Sequence, residues 1–588
     1  MSINTAAVLA PVLHSEASSQ FDIQLELIQS ENGLDIYRLR MQAEVPTPTQ
    51  SFQLKWRLPA QNIKGVWKTS SLYEKRLQYD WELEHLKSRI SIEAPIICLF
   101  GHDDSNRLTF ACSDAVNTLQ LNALLREEDS HVYCFIDFFS EEHPPIQYYE
   151  AEIRIDQRTC PYYESIQDVA HWWASYEHLR PAKVPDIARQ PLYSTWYQYH
   201  QNLDPDTIVA DCQVARQLGY EIIIIDDGWQ TLDNNRGYDY TGDWQPERIP
   251  DMAGFVKRIH QTGMKVGLWF SVPFCGKHSR AYQRFKGKFL TENHRWAPVF
   301  DPRYPEVRQH LIDIYCHALK QWNLDGFKLD FIDDFDVYPE TVLTKADGRD
   351  YASVNAAVDR LMTDVYQSLK AIKPNIFIEF RQRYIGPAMR KFGNMLRAFD
   401  CPNDSSSNRI RTTDVKLLCG QTAIHSDPLI WHRDEAVEVA AFQLLNGLFG
   451  VPQLSVEIQN MPADHLAMIQ FLNQYWKDHR HILLDGDFRA FNPQANYPLL
   501  LSQKDNHQII SIGQDQVIPL GDKLITDIFN VKMSDQVVIR TADALNVQLQ
   551  IWDCMGNEQL KQRVSWSKGL VEIALPVSGL LRIRRSPH

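Results

Sequence analysis

Charged residues stand at the ends of five apolar segments in the middle of the chain. The segments read IIIIDD, GFKLDF, IFIEFR, MLRAFD and TAIHSD. The charged residues in them are Asp226, Asp227, Lys328, Asp330, Glu379, Arg381, Arg397, Asp400, His425 and Asp427. One Asp after a strand commonly caps a helix or stands in a turn. Five such ends together indicate a shared polar site, because unpaired buried charge is costly.

Two carboxylates facing one cavity are suited to cleaving a glycosidic bond when one is ionised and the other holds a proton. Asp330 comes two residues after Lys328, so both side chains lie on one face of a strand, and the ammonium favours an ionised Asp330. Asp400, at the end of another segment, is the predicted acid. Asp404 is the alternative acid, and its other expected role is to cap the SSSNR segment.

A sugar is a better ligand for this set of residues than a metal ion. Strand-end carboxylates also bind Mg²⁺ or Mn²⁺, but Lys328, Arg381 and Arg397 would lie among the ligands. Sugar hydroxyls donate hydrogen bonds to carboxylates and accept them from Lys and Arg side chains, while aromatic rings pack on the C–H faces of the sugar. The aromatic residues expected near the site are Trp196, Trp229, Trp269 and Phe274. We therefore expect no metal ion and no other cofactor.

The elements that must position these residues alternate between strand and helix from about residue 190 to 480. The candidate strands are LYSTWY, YEIIIIDD, KVGLWFS, GFKLDF, IFIEFR, MLRAFD, TAIHSD and PQLSV. Helical segments such as DPDTIVADCQVARQLG and YPEVRQHLIDIYCHALKQW separate them. Eight apolar strands in this rhythm predict a (β/α)8 barrel, in which the carboxyl ends of the strands meet at one mouth.

Short strands bounded by turn residues flank the predicted barrel on both sides. The sequence therefore predicts a multidomain α/β protein with three parts: an N-terminal β-sandwich over residues 1–185, the catalytic (β/α)8 barrel over 186–485, and a small C-terminal β-sandwich over 486–588. In the first part, Trp56, Trp67 and Trp81 are expected in the core.

Composition excludes several classes of partner. The formal charge is −14 and the sequence shows no evident basic face, so nucleic acid is not expected as a partner. No apolar run approaches about 18 residues, so no membrane span is expected. The N-terminal segment shows no export signal, and the ten cysteines are scattered without CxxC pairs. These features predict a soluble cytoplasmic protein with reduced thiols.

Several blocks resemble a known family. STWYQYH, IIIIDDGWQ, GDWQPERIPDMAGFVKRIHQTGMKVGLWF and DGFKLDF, in this order and spacing, are similar to the α-galactosidases of glycoside hydrolase family 36, which shares a clan with family 27. The flanking β-domains agree with that family's three-domain plan. The resemblance implies a retaining hydrolase that releases terminal α-linked galactose from oligosaccharides or glycoconjugates by double displacement, and a possible homo-oligomer.

The resemblance also implies roles for individual residues. Asp330 takes the place of the nucleophile, and Lys328 that of a ligand of the 3- and 4-hydroxyls. Asp226 and Asp227 would bind the 4- and 6-hydroxyls. The spacing of Arg397 and Asp400 is similar to family 27, where the arginine contacts the sugar and the aspartate is the acid. Further substrate-binding positions are expected at Trp196, Trp229, Trp269, Cys275, Glu379 and Arg381.

Other functions remain open at this point. An α-N-acetylgalactosaminidase or a galactosyl-transferring enzyme would use the same residues, and nothing in the sequence fixes the pocket around the 2-position of the sugar. A sugar-binding protein without turnover and a metal-dependent barrel hydrolase are more distant alternatives.

Overall fold

The computed structural model describes residues 10–14, 20–82 and 84–585. The expected absence of an export signal concerns an N-terminal segment that lies largely outside these residues. Twelve strands and one helix come first in the described chain. They are β1 Val12–His14, β2 Asp22–Glu31, β3 Leu34–Thr47, β4 Phe52–Pro59, β5 Gly65–Lys68, β6 Gln78–Tyr79, β7 Leu86–Ser88, β8 Ile96–Phe100, β9 Asn106–Cys112, β10 Leu119–Arg126, β11 His131–Phe138, β12 Ile146–Asp156 and α1 Tyr162–Ser175.

These strands form two packed sheets. One has the order β1-β4-β11-β10-β6, with β7 also paired to β10, and the other has the order β2-β3-β12-β9-β8-β5. Pairing is antiparallel except between β10 and β6. Alternate residues of the strands point inward, as in the burial pattern of β4, so the sheets enclose an apolar core. Trp56 and Trp67 are buried as expected, but Trp81 is 60% exposed and stacks on Tyr79, so its predicted core position is wrong.

The middle of the chain alternates between strands and helices. In order they are β13 Leu192–Ser194, α2 Trp196–Tyr199, α3 Pro205–Gln217, β14 Ile222–Ile225, α4 Met252–Gln261, β15 Lys265–Ser271, α5 Arg280–Arg284, β16 Phe289–Thr291, β17 Val299–Phe300, α6 Pro305–Gln321, β18 Gly326–Asp330, α7 Val354–Ile372, β19 Phe377–Arg381, β20 Met395–Arg397, α8 Ser405–Leu418, β21 Ala423–His425, α9 Val437–Asn446, β22 Gln453–Leu454 and α10 Ala463–Leu483.

Eight of these strands form one parallel sheet, in the order β21-β20-β19-β18-β15-β14-β13-β22. Bridges from His425 to Val451 and from Leu429 to Leu454 connect β21 with the β22 region and nearly close the barrel. All eight predicted strands are confirmed, as are the predicted helices α3 and α6. Asp204 caps α3 by accepting a hydrogen bond from the backbone N–H of Thr207.

The barrel interior has an apolar floor. Alternate strand residues point inward at the amino ends of the strands, and Ala188 packs against them from the segment Asp186–Arg189. The inward residues are Leu192, Ile222, Ile224, Phe377, Met395 and Ala423. The same alternation places the next inward positions of β14, β19 and β20 at Asp226, Glu379 and Arg397. The apolar floor therefore gives way to a charged layer toward the carboxyl ends of the strands.

Ten strands end the described chain. They are β23 Asp487–Phe491, β24 Leu499–Lys504, β25 His507–Ile512, β26 Val517–Pro519, β27 Ile525–Asn530, β28 Gln536–Thr541, β29 Leu545–Trp552, β30 Glu558–Trp566, β31 Gly569–Ala574 and β32 Leu580–Arg585. A seven-stranded and a three-stranded sheet enclose a separate apolar core. The predicted architecture of a TIM barrel between two β-sandwiches is thus confirmed.

The N-terminal sandwich reaches the loops at the mouth of the barrel. Arg89 is ion-paired with Asp336 and donates a hydrogen bond to the backbone oxygen of Asp333 at 2.9 Å. The backbone N–H of Glu93 donates to the backbone oxygen of Arg383 at 2.6 Å. The loops that follow β18 and β19 are therefore supported from outside the barrel. None of the helices in the described part of the chain is long and apolar enough to cross a bilayer.

Candidate active site

The register of the barrel strands places the charged residues in rows. Trp269 of β15, Lys328 of β18 and Glu379 of β19 are register partners across three neighbouring strands. One inward step further along their strands come Asp330 and Arg381. Because parallel strands share one direction, these side chains converge on the same end of the barrel.

A cavity of about 490 Å³ opens at this end. That volume is typical of small-molecule binding sites. The predicted site residues that line it are Trp196, Asp226, Asp227, Trp269, Lys328, Asp330, Arg381 and Asp400. Both predicted catalytic carboxylates thus face one cavity, although Asp330 and Asp400 are 70 positions apart in the sequence.

Asp330 is buried and surrounded by hydrogen-bond donors. Its Oδ1 accepts from Nε of Arg381 at 2.8 Å, from the hydroxyl of Tyr384 at 2.6 Å and from the backbone N–H of Phe331 at 2.7 Å. Its Oδ2 accepts from Nε1 of Trp269 at 2.9 Å. Burial by itself would raise the pKa of Asp330, but Arg381, Lys328 and these donors outweigh it and hold the pKa below its usual range. The carboxylate is therefore ionised at neutral pH.

Asp400 stands beside Arg397, whose Nη2 lies 2.8 Å from its Oδ1, and its side chain is 37% exposed. Burial tends to raise the pKa of Asp400, while Arg397, Arg381 and Lys328 together bring it below the ordinary value. These cations therefore favour the ionised form of Asp400, whereas the sequence analysis expects it to act as the acid. The negative charge of Asp330 acts in the other direction and raises the pKa of Asp400.

Asp226 and Asp227 follow β14 and are fixed by different partners. Nζ of Lys328 donates to Oδ2 of Asp226 at 2.7 Å, and it also lies 3.8 Å from Oδ2 of Asp330. The two oxygens of Asp227 accept from the side-chain amides of Gln201 at 2.7 Å and Gln230 at 2.6 Å. Burial raises the pKa of Asp227 to about 6. Both carboxylates are held rigidly at the cavity wall, an arrangement suited to orienting hydroxyl groups.

Four predicted substrate-binding residues are not among those that line the cavity. Trp229 is fully buried against Trp244, Phe270 and Trp322. Its Nε1 donates to the backbone oxygen of Trp269, so it supports a wall residue from behind.

The other three are also buried behind the wall. Cys275 packs against Ser279, with 3.6 Å between Sγ and Oγ. Glu379 accepts from the amide of Gln453 at 2.5 Å, and its Oε1 lies 3.6 Å from Nε of Arg397. Arg397 is 1% exposed and contacts Asp400 from the protein side. Of the three, Arg397 touches a lining residue, Asp400, and Glu379 lies behind Arg397.

Asp404, the alternative acid, caps helix α8. Its side chain accepts hydrogen bonds from the backbone N–H of Ser407 at 2.9 Å and from the hydroxyl of Tyr73 at 3.2 Å. It is not among the residues that line the cavity. The geometry therefore favours Asp400 as the carboxyl group that meets a ligand.

One group with the spacing of metal ligands occurs in the described residues, formed by His479, His507 and Asp527. Both oxygens of Asp527 accept hydrogen bonds from Arg582, at 2.7 and 2.6 Å, and Oδ2 also accepts from Tyr475. A guanidinium thus occupies the position that a cation would need, and the cluster is best described as a buried ion-pair network.

Several lining residues were not predicted, and most come from the loops after the strands. They are Tyr238, Arg295, Trp296, Phe331, Asp333, Asp334, Arg383 and Phe399. Trp296 is 39% exposed and lies edge-on to Tyr238, which in turn stacks on Trp269. The IDD run after GFKLDF was a usable signal for the acidic pair. The aromatic loop residues gave none, since a single sequence does not show where long loops fold back.

Part of the chain is similar in sequence to known proteins. Residues 164–379 match the Melibiase family model, a range that includes Asp330 and ends before Asp400. The bifunctional α-galactosidase/sucrose kinase AgaSK of Mediterraneibacter gnavus is 28% identical over 165 residues, which are 26% of this chain and 17% of that protein. The chain thus aligns with only about a fifth of the length of the curated relatives it matches.

Solved structures extend the likeness to nearly the whole chain. The galactosidase domain of AgaSK superposes with a TM-score of 0.66 at 14% identity, covering 99% of this chain and 84% of that one. The family 36 α-galactosidase AgaA of Geobacillus stearothermophilus gives a TM-score of 0.65 at 13% identity, covering 99% and 86%. A doubly substituted AgaA has also been solved in complex with raffinose. At these identities the likeness establishes the fold.

Fold and site together define a three-part (β/α)8-barrel protein whose mouth carries a cavity lined by carboxylates, cations and aromatic rings. The resemblance to the family 36 α-galactosidases is confirmed by the Melibiase match, by the curated relatives and by the shared fold.

Proposed function

We propose that the protein is a retaining α-galactosidase that releases terminal α-linked galactose from oligosaccharides or glycoconjugates. The observation that carries this proposal is the pairing of an ionised, fully hydrogen-bonded Asp330 with a partly exposed Asp400 in one cavity. A fixed carboxylate and a second carboxylate open to the leaving group are the two parts that double displacement requires.

In the first step, an oxygen of Asp330 attacks the anomeric carbon from the β face and the C–O bond to the leaving group breaks. Asp400 transfers its proton to the departing oxygen, so the products are a β-galactosyl ester and a neutral alcohol. In the second step, Asp400 takes a proton from water, the water oxygen attacks the anomeric carbon and Asp330 leaves as a carboxylate. The configuration of galactose is retained.

The environment of Asp400 supports this change of role. A bound sugar removes water from the cavity and disfavours the charged form, so substrate binding raises the pKa of Asp400 and favours the acid. Esterification of Asp330 then removes the negative charge that raises the pKa of Asp400. The pKa falls after the first step, and Asp400 becomes the base that the second step needs.

Substrate recognition follows from the walls of the cavity. Asp226, Asp227 and Lys328 are proposed to bind the 3-, 4- and 6-hydroxyls, and Trp196 and Trp269 to pack on the ring. Arg381 takes a position beside Asp330, where it contacts the region of the 2-hydroxyl. The loop residues Trp296 and Arg383 lie on the open side and are assigned to the leaving group.

The decisive experiment compares 4-nitrophenyl α-galactoside hydrolysis by the wild-type enzyme with that of Asp330→Ala and Asp400→Ala. Loss of the nucleophile is expected to lower kcat by on the order of 10⁴-fold or more. Asp404→Ala is the matched control: it removes a helix cap, costs about 1 kcal/mol of stability and keeps most of the activity. A hydrolysis rate of Asp330→Ala within about tenfold of the parent would contradict the assignment.

Azide distinguishes the roles of the two carboxylates. Added to Asp330→Ala, azide attacks the substrate from the vacant β face and gives β-galactosyl azide. Added to Asp400→Ala, it attacks the glycosyl enzyme from the α side and gives α-galactosyl azide. Proton NMR of the products assigns the anomers, and the opposite pattern would exchange the proposed roles.

The same assay, run with 4-nitrophenyl α-N-acetylgalactosaminide and with raffinose plus sucrose, tests the choice of galactose and of hydrolysis over transfer.

We further propose cytoplasmic localisation, since all ten cysteines are free thiols, as expected in a reducing compartment. We also propose that the chain divides into three parts at residues 185/186 and 485/486, which limited proteolysis tests. Assembly as a homo-oligomer is proposed as well, and light scattering tests it.

A further inference from the structure

Arg397 is held by carboxyl groups on three sides. Its Nη2 donates to Oδ1 of Asp400 at 2.8 Å, its Nη1 donates to Oδ1 of Asp427, and its Nε lies 3.6 Å from Oε1 of Glu379. Arg397 and Glu379 are each 1% exposed, and Asp427 has no exposed surface. A single guanidinium therefore faces three carboxyl groups, and it cannot neutralise all of them if they are ionised together.

Asp427 is fixed in this network by groups other than Arg397. Its Oδ2 accepts from the hydroxyl of Tyr197 at 2.8 Å and from the backbone N–H of Cys401 at 2.7 Å. Its backbone N–H donates to the side chain of Asn408 at 3.1 Å. Since Cys401 directly follows Asp400, Asp427 also holds the peptide next to the proposed acid. It is absent from the cavity lining, so it meets no substrate itself.

We propose that Asp427 is a positioning residue of the proposed reaction: through Arg397, which the two aspartates share, it determines how firmly Asp400 holds its proton. The inference rests on the function proposed above. It goes beyond that function because it assigns a role to a buried residue that lies behind the acid and outside the cavity.

The direction of the effect follows from charge. When Asp427 is ionised, it competes for Arg397 and adds a nearby negative charge, so protonated Asp400 is favoured. When Asp427 is neutral, it no longer competes for Arg397, so the guanidinium acts more strongly on Asp400 and favours the carboxylate. The two groups thus titrate as a pair.

The other groups facing Asp427 keep their charge across the working pH range. They are Arg397, the hydroxyl of Tyr197 and the thiol of Cys401, and burial raises the pKa of the last two. Burial also raises the pKa of Asp427 to about 7.

The test is the pH dependence of Asp427→Asn with two substrates. Removing the carboxylate lowers the pKa of Asp400 in the enzyme–substrate complex. For substrates with a poor leaving group, such as melibiose, the basic limb of the kcat–pH profile therefore moves to lower pH by about one unit. On the alkaline side their turnover falls about tenfold. A 2,4-dinitrophenyl galactoside needs little acid assistance, so its kcat is expected to change by less than about threefold.

Tyr197→Phe provides a second variant in case Asp427→Asn does not fold. It keeps Asp427 but removes the donor that favours its charged form, so the basic limb moves in the same direction by a smaller amount. Asp527→Asn is the matched control, because Asp527 is also buried and accepts from an arginine and a tyrosine, in the C-terminal sheet. That variant loses stability and keeps the wild-type pH profile.

Folded variants with the wild-type basic limb, or equal losses with both substrates, would overturn the inference while leaving the proposed function intact. An inactive wild-type enzyme with both substrates would instead overturn the proposed function, and this inference with it.

Discussion

Nε of Arg381 lies 2.8 Å from Oδ1 of Asp330, and the two side chains stand at the ends of neighbouring barrel strands. The ammonium of Lys328, which the sequence suggested as the cation next to Asp330, is farther away at 3.8 Å and has its closest carboxylate in Asp226. Arg381 is therefore the main ionic partner of the proposed nucleophile. Lys328 lies between Asp330 and Asp226, the proposed sugar-binding carboxylate.

The hydroxyl of Tyr384 shares Oδ1 of Asp330 with Arg381. Tyr384→Phe removes a hydrogen bond to an ionised group, so the pKa of Asp330 rises and the acid limb of kcat/KM moves to higher pH. A bond of this kind contributes about 1.5–3 kcal/mol, so we expect kcat/KM to fall by about 10- to 100-fold. Tyr315→Phe is the control, since that buried hydroxyl has no hydrogen-bond partner among the residues that the structure describes. Equal pH–rate profiles for both variants would contradict the assigned contact.

Lys328→Met leaves Asp226 and Asp330 without a shared cation. Breaking a buried ion pair costs about 3–5 kcal/mol, so we expect a lower melting temperature and a fall in kcat/KM of at least about 100-fold. Lys373→Met is the comparison: Lys373 pairs with Asp325, which precedes β18, at 3.0 Å, and its side chain is 30% exposed. Calorimetry and steady-state kinetics should show a stability loss in both variants and an activity loss only in Lys328→Met. Unchanged kinetics in Lys328→Met would remove Lys328 from the site.

Glu93, where the N-terminal sandwich meets the loop after β19, makes stability depend on pH. Burial raises its pKa to about 7, so the folded protein keeps a proton that the unfolded chain releases above pH 4.5. Stability is therefore lost as the pH rises from about 4.5 to 7.

Glu93→Gln has no proton to lose at this position. Relative to the wild type, we expect little difference at pH 5 and a gain on the order of 2 kcal/mol at pH 8, measured by urea denaturation. The measurement at pH 5 serves as the internal control for the loss of packing. A gain that is equal at both pH values would rule out titration of Glu93 as the cause.

Metal removal separates a two-carboxylate hydrolase from a metal-dependent one. Because Arg381, Lys328 and Arg397 pair with the carboxylates at the mouth, dialysis against EDTA is expected to leave kcat unchanged. Since Arg582 neutralises Asp527, the melting temperature should not change either. Loss of activity that Mg²⁺ or Mn²⁺ restores would show that the cavity holds a metal ion.

The strands and their charged ends were predictable because both follow from short-range pattern. Runs such as IIIIDD and GFKLD combine an apolar stretch buried on both faces with polar residues where the strand leaves the barrel. Alternation with helices then fixes a parallel barrel, and parallel strands bring their ends together. The sequence also indicated the acidic cap at Asp404, since Asp before Ser-rich helix starts is a common cap.

The sequence by itself thus determined the barrel, its flanking sheets and the set of charged residues at the mouth. Only the tertiary structure decided which of them face the cavity: Trp229 and Cys275 are buried behind the wall, while Trp296, Arg383 and Phe399 reach in from loops. The period of a strand fixes which face a side chain takes, whereas the course of a loop and the choice of ionic partner depend on contacts between distant segments. Those contacts also determine the protonation states of buried side chains. The pairing of Arg381 with Asp330 and the ionised state of Asp400 are therefore seen only in the folded chain.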